Sequence, residues 1–383
     1  MPDSPPLQRP IRVCLVGPSL DILGGQAVQA ARLLERFRTV PELEVDFLPV
    51  NPRLPGVLRA LQRVKYVRTV VTSVAYVASL LARLRRYDVV HAFSASYYSY
   101  LLAPLPALLV ARLYGRRTVL NYRSGEAEDH LTNWPRSAGT MRRYVDAIAV
   151  PSGYLVDVFG QFGLPAHSIF NFVDAERIPY RARGTPAPVF FSNRNFEPLY
   201  DVACTIRAFA LVQQQVPEAS LVLAGDGSQR GALEALAGSL GVRNVRFVGR
   251  VPPERMPALY DQAEIYLNSP NIDNMPGSII EAFAAGVPVV TSNAGGIPYI
   301  VSHERTGLMV PSGDAAAMAA AALRLLREPG LASRLAHAAR VECMERYVWP
   351  AVRDEWVRLY ARLAGVPFDA PARMVVPTLE PTA

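Results

Sequence analysis

Two carboxylates, Asp273 and Glu281, stand eight positions apart around the run Asn274-Met275-Pro276-Gly277-Ser278. Pro276 suits a first helical turn, where its missing N–H has no intrahelical partner to lose. The pattern predicts a helix over about Pro276 to Ala285, with Asn274 as its N-cap and Gly286 just past its end. Ile279, Ile280 and Phe283 supply its buried side, and Ser278 and Glu281, three apart, share a face. The free amides of such a helix start, at the positive end of the helix dipole, attract phosphate. Carboxylates repel phosphate but accept hydrogen bonds from the hydroxyls of a sugar or a ribose. A sugar nucleotide carries both kinds of group. The same residues also describe a capped surface helix with a solvated Glu281.

Further candidates follow predicted strands. Gly24-Gly25 comes after the first strand, and two glycines let a backbone approach a ligand closely. An ordinary tight turn reads the same way, and the spacing is not the G-x-G-x-x-G of a dinucleotide site. Arg194 follows a strand in the second half of the chain. Arg123 lies in Tyr122-Arg123-Ser124-Gly125-Glu126 at the end of a strand in the first half. His91 ends the strand before that one, as a second site candidate or a core histidine. His130, His167, His303 and His337 show no pairing, so no metal site is expected.

The elements that position these residues alternate. In the first half, apolar β-rich runs lie at Ile11 to Val16, Val45 to Pro49, Val89 to Ala92, Thr118 to Tyr122 and Ala147 to Val150. In the second half they lie at Val189 to Ser192, Leu221 to Ala224, Val245 to Val248, Ile265 to Asn268, Val287 to Thr291 and Gly307 to Val310. Helical patterns fill the gaps, among them Gln26 to Phe37, Val202 to Gln214, Gln229 to Leu240 and Ala315 to Arg327. Alternation of this kind implies parallel sheets covered on both faces, here two Rossmann-like α/β domains. The expected division is residues 1–175, 176–365 and a flexible tail, 366–383, with the junction near Asn171 to Asp174 or in the loop Tyr180 to Pro188. Ligands of such sheets bind at the C-terminal ends of the strands.

Composition narrows the class. The 383 residues are half hydrophobic, enough for two full cores. Three scattered cysteines, Cys14, Cys204 and Cys343, have neither disulfide nor metal spacing. The chain opens on a polar, proline-rich stretch rather than an apolar leader, so cytoplasmic residence is expected. Residues 1–175 carry 20 basic and 13 acidic residues, and the remainder 20 of each, so the first half holds the whole formal charge of +7. Lys65 is the only lysine. No acid occurs between Asp46 and Asp88, a stretch with Arg53, Arg59, Arg63, Lys65, Arg68, Arg83, Arg85 and Arg86. Fourteen uncharged residues, Thr69 to Ala82, separate Arg68 from Arg83. That is short of the ~20 residues of a spanning helix. It fits an amphipathic helix with basic ends, on an anionic membrane surface or packed in the domain. The arginines lack interleaved aromatics and any nucleic-acid motif, so no nucleic-acid partner is expected.

The run Asp273 to Ala282, then Gly286-Val287-Pro288-Val289-Val290, then Gly295-Gly296, resembles the acid-x7-acid motif of the retaining glycosyltransferases of family 4, which have the GT-B fold. Arg207-Ala208-Phe209, Leu223-Ala224-Gly225-Asp226-Gly227, Val245 to Gly249 and Arg305 to Val310 extend the resemblance over almost the whole chain. It implies two Rossmann-like domains facing each other across a cleft, with a last helix, about Trp349 to Ala364, that crosses back to the first domain. The implied reaction moves a sugar, with its configuration retained, from a nucleotide-diphosphate donor to a saccharide or lipid-linked acceptor, in glycan or polysaccharide synthesis and without a metal. Glu281 would hold the ribose hydroxyls, and the backbone around Gly249 to Val251 the base. Arg194 and the amides of Asn274, Met275, Gly277 and Ser278 would hold the diphosphate, with Pro276 shaping the turn. Asp273 would hold the transferred sugar, and Gly24-Gly25 would touch donor phosphate or acceptor. Two departures stand out. Relatives place a lysine five or six residues after the arginine, where this chain has Leu199 and Tyr200. They also commonly carry a histidine where Arg123 stands. These departures are what a non-catalytic GT-B protein, binding sugar nucleotide or partnering a transferase, would show.

Overall fold

The computed structural model describes residues 9–20, 25–54 and 65–368. Among these, two compact units emerge. One runs to Ile169 and resumes at Val352; the other is Phe170–Ala351. The division falls at Ile169/Phe170 rather than after residue 175, and the Trp349–Ala364 helix begins in the second unit and continues in the first. Gly24, Arg59, Arg63 and the tail beyond residue 368 lie outside the described residues.

The first unit is built on a six-stranded parallel sheet. Its strands are β1 (Ile11–Gly17), β2 (Leu43–Pro49), β3 (Val89–Ser94), β4 (Arg117–Tyr122), β5 (Ala147–Val150) and β6 (Ala166–Ser168). They lie in the order β2-β1-β3-β4-β5-β6. β3 is buried at all six positions, so apolar residues occupy both of its faces (Val89, Val90, Ala92 and Phe93) and His91 and Ser94 are buried with them. The short β6 (Ala-His-Ser) has no such run and was not anticipated. The Lys65–Arg83 helix sends Tyr76 and Leu80 inward, and Leu84 of the following turn joins them against Cys14, Val16 and Val90. It is longer than the fourteen uncharged residues suggest.

His91 belongs to this core. It is fully buried, stacked between Phe93 and Trp356, with Nδ1 2.6 Å from the Tyr360 hydroxyl and Nε2 3.0 Å from Asn121 Nδ2. Burial, with Arg123 nearby, pushes its imidazole down to about 3. Buried His130, between the Tyr122 and Ser137 hydroxyls, is lowered to about 4 by burial. Both groups bind a proton more readily in the unfolded chain, near pH ~6.5, than in the folded one. Their contribution is therefore fully present above pH ~6.5 and is lost as the pH falls, by about 1.4 kcal/mol per pH unit for each histidine until its folded value is reached. The thermal midpoint of the first unit should drop between neutral pH and about pH 5, and His91→Gln should flatten that slope. An unchanged slope would remove His91 as its source.

The second unit repeats the plan. Its strands are β7 (Val189–Ser192), β8 (Ser220–Ala224), β9 (Val245–Gly249), β10 (Ile265–Asn268), β11 (Val289–Ser292) and β12 (Leu308–Val310). Their order is β12-β11-β10-β7-β8-β9, all parallel. From β7 the chain winds outward through β8 and β9, then returns to the other side for β10, β11 and β12. The sheet reverses its direction of growth between β7 and β10, and loops leaving adjacent strands there part to leave a crevice.

Candidate functional site

Arg194 leaves the C-terminal end of β7 and Asp273 follows β10, so the two residues straddle that reversal. The Gly277–Ala285 helix starts four residues after Asp273. Its N-cap is Pro276, in extended conformation (φ −65°, ψ 116°), and Gly286 closes it in the left-handed region (φ 72°). The cap is thus not Asn274, which lies two residues earlier and is buried. Proline cannot cap through a side chain, so the first-turn amides receive no side-chain cap. A Cβ added at Gly277 would meet nothing within 4 Å, so the helix start opens on free space.

The loop ahead of the helix is held from two sides. Gly296 N–H donates to the Asp273 carbonyl at 2.8 Å, and Asn171 Nδ2 donates to the Met275 carbonyl at 2.8 Å. A side chain at Gly295 (φ +52°) or Gly296 would drive into the carbonyls of Asp273 and Asn274. Arg194 ion-pairs with the Asp273 carboxylate, donates to Ser278 Oγ at 3.2 Å and lies over the Tyr200 ring, 4.2 Å from its centroid. Burial, the largest influence, works against the guanidinium charge, but Asp273 together with Tyr266, Tyr200 and Tyr260 more than offsets it, so its pKa is raised and it stays a cation. Tyr200 therefore serves as a platform for Arg194, not as a separate cation. Leu199 is exposed, and its carbonyl accepts from Asn271. Neither position replaces a lysine.

Glu281 lies on the same helix, half-buried. The Tyr260 hydroxyl is 3.1 Å from its carboxylate, 3.0 Å from the Ser278 carbonyl and 3.0 Å from Asn193 Nδ2. Tyr266 donates to Asn193 Oδ1 at 2.8 Å. Burial, with Glu281 adding to it, holds the Tyr260 phenol well above its ordinary value, and burial raises Tyr266 to about 12. Both remain donors at neutral pH, Tyr260 to the Glu281 carboxylate and Tyr266 to Asn193. Sequence reasoning missed Asn193, Tyr260 and Tyr266. Asn193 adjoins Arg194, but nothing in the order of residues joins the two tyrosines to Glu281.

Arg183 was also missed. Its side chain is wholly buried, and it donates to the carbonyls of Tyr260, Asp261, Ala263, Ala285 and Arg181 at 2.6–3.2 Å. All but that of Arg181 lie at the C-terminal ends of the Met256–Gln262 and Gly277–Ala285 helices, where a cation also meets the negative dipole end. Gly249 ends β9 at φ +72°, accepting from Gly225 N–H at 2.9 Å, and Val251 packs on the cluster that contains Met275 and Ile279.

In the first unit, Gly25 opens the Gly25–Phe37 helix, and Arg123 follows β4, donating to Asn121 Oδ1 at 3.1 Å. Burial lowers the Arg123 guanidinium to about 10, still charged at neutral pH. Among the described residues no three His, Cys, Asp or Glu side chains converge on one point.

The family model described as glycosyl transferases group 1 matches residues 175–342, which include Arg194, Gly249, Asp273 and Glu281. Glycogen synthase of Mycobacterium tuberculosis (strain H37Rv) is 30% identical over 294 residues, covering 72% of this chain and 69% of that protein. The chain belongs to the group 1 glycosyl transferases. The phosphatidyl-myo-inositol mannosyltransferase of Mycobacterium leprae is 33% identical to this transferase over 178 residues, 46% of each chain. Among solved structures, sucrose-phosphate synthase from Thermosynechococcus elongatus superposes with a TM-score of 0.74 at 19% identity, over 93% of this chain and 99% of that one. Anabaena HepE in complex with UDP-glucose gives 0.73 at 16%, over 92% and 100%. These likenesses show the fold, that of GT-B glycosyltransferases.

Proposed function

We propose that this transferase moves a sugar from a nucleotide-diphosphate donor to a saccharide or lipid-linked acceptor with retention of anomeric configuration. The observation that carries the reading is the guanidinium of Arg194 held by the Asp273 carboxylate and Ser278 at an uncapped helix start. Arg194 and the amides of Gly277 and Ser278 take the diphosphate, and Glu281, oriented by Tyr260, takes the ribose hydroxyls. Asp273 reads hydroxyls of the transferred sugar, and the backbone at Gly249 to Val251 meets the base. Arg123 and the residues Gly24 and Gly25 are assigned to phosphate or acceptor. The bond from the acceptor oxygen to the anomeric carbon forms on the face from which the diphosphate departs. The acceptor proton passes to the leaving phosphate oxygen. Charge neutralisation is assigned to Arg194 and the helix amides, so no metal has a role in this scheme. A donor with a nucleoside diphosphate is supported by the UDP-glucose of HepE, and a lipid-linked acceptor by the mannosyltransferase relative.

The missing second cation favours one other reading, a sugar-nucleotide-binding protein without turnover. A thermal-shift screen of nucleotide sugars identifies the donor, because only a ligand of the folded state raises the midpoint. With that donor, slow hydrolysis in the absence of acceptor should be seen, and an α-linked donor should give an α-linked product by NMR. Glu281→Ala should raise the donor Kd by about tenfold, the worth of one charge-assisted hydrogen bond. An inverted product, or a Glu281→Ala variant with unchanged Kd, would overturn the assignment. Tight binding with no hydrolysis or transfer to any acceptor would favour the binding protein.

A further inference from the structure

The Lys65–Arg83 helix carries two apolar faces. One, with Tyr76 and Leu80, faces the core. The other is the stripe Val67, Val70, Val74, Val77 and Leu81, whose 3-4-3-4 spacing aligns them along one side; Val70 and Val74 are each 64% exposed. A surface helix ordinarily turns polar residues to water. The neighbouring helical stretch Tyr98–Leu113 repeats the anomaly, with Tyr98 and Leu113 each 70% exposed. The two pack together, the Tyr114 hydroxyl donating to the Leu81 carbonyl and the Tyr76 hydroxyl to that of Ala103. Exposed aliphatic surface on this scale marks an interaction site.

Charge selects the partner. Residues 47–125 contain twelve basic residues and a single acid, Asp88, which Arg9 and Arg12 already hold; of the twelve, Arg112 and Arg117 pair with Asp146. Arg68, Arg85 and Arg86 flank the stripe, exposed and without an ion pair among the described residues. A second copy docked on the stripe would bring arginines against arginines. An anionic bilayer supplies both an apolar layer and the missing negative charge. The helix Val67–Arg86 is 20 residues long with a mean hydropathy of 1.4, but its inner residues lie in the core of the unit, so it lies along a surface and does not cross it.

We infer that the outer faces of these two helical segments seat the first unit on an anionic lipid surface, the valine stripe entering the headgroup boundary and the arginines meeting lipid phosphates. The inference deepens the reading above by adding the surface on which a lipid-linked acceptor would be met, but the docking is measurable without any sugar transfer.

The test is co-sedimentation of the full chain with phosphatidylcholine vesicles and with vesicles of equal parts phosphatidylcholine and phosphatidylglycerol, at low and high salt. The expected result is binding to the anionic vesicles that salt weakens, and little to the neutral ones. The double variant Val70→Asp/Val74→Asp should lose about tenfold or more of that binding, with its thermal midpoint and donor affinity unchanged because both positions are exposed. Arg85→Glu/Arg86→Glu should lose the salt-dependent part. Absence of wild-type binding at low salt would overturn the inference, as would a double variant that binds as well as wild type. A dimer in light scattering that the double variant abolishes, without vesicle binding, would assign the stripe to a second copy. Failure of donor binding with intact vesicle binding would refute the transferase reading alone.

Discussion

Arg194→Ala is expected to lower kcat/KM for sugar transfer by about 10²–10³, the cost of removing one preorganised charge donor from a developing oxyanion, ~2.7–4 kcal/mol. The geometry argues for the upper part of that range. The guanidinium is nine-tenths buried, is fixed by Asp273, Ser278 and the Tyr200 ring, and has no lysine behind it at positions 199 and 200. Removing it also leaves the Asp273 carboxylate unbalanced beside the diphosphate. A second substitution, Asp273→Asn, should therefore tighten donor binding in the Arg194→Ala background while loosening it in the wild type. Such a change of sign is diagnostic of direct coupling. Arg194→Lys should recover only part of the rate, because an ammonium cannot serve two partners in one plane. Donor titration by calorimetry and initial rates decide the matter. If Arg194→Ala matches wild type in both, the leaving group is held elsewhere.

Arg183→Met is expected to destabilise the second unit by about 3–5 kcal/mol, as when one partner is removed from a buried charged network. Methionine fills much of the volume, so the loss isolates the hydrogen bonds rather than a cavity. The carbonyls of Tyr260, Ala263 and Ala285 lose buried hydrogen bonds to the guanidinium, and those of Arg181 and Asp261 lose part-buried ones. For a unit of this size the thermal midpoint should fall by roughly 6–20 °C, at ~2–4 °C per kcal/mol. Calorimetry should show the loss in the transition that donor protects. The Gly277–Ala285 helix holds Ser278 and Glu281, so donor affinity should weaken as well. A midpoint within a degree or two of wild type would mean that other groups satisfy those carbonyls.

Much of the fold was legible because buried parallel strands are written as apolar runs. Ala147–Val150, Val189–Ser192 and Ile265–Asn268 fall where their sequences place them, and the other anticipated strands move by a residue or two at their ends. β6 escaped because Ala166-His167-Ser168 buries little and pairs only through backbone. The helix between the two acids was legible from its proline and glycine, but its cap was not. Asn274 has the right chemistry for a cap, yet the extended backbone at Pro276 delays the first helical residue to Gly277. Asp273, Arg194 and Glu281 were named from sequence; that the first two join each other was not, since a pairing across 79 positions leaves no trace in spacing. His91 is a core group because Trp356 and Tyr360, far along the chain, enclose it.

The closed contact between Arg194 and Asp273 has a kinetic corollary. Arg194 already has an anion in Asp273, so on the proposed reading an incoming diphosphate would compete with an internal rival. A complete donor can resolve the rivalry, because its sugar hydroxyls give the displaced aspartate new partners. The nucleoside diphosphate left after transfer has no sugar to offer, and the aspartate can reclaim its arginine. The same pair that admits the substrate would then help to expel the spent carrier, giving each cycle a preferred direction.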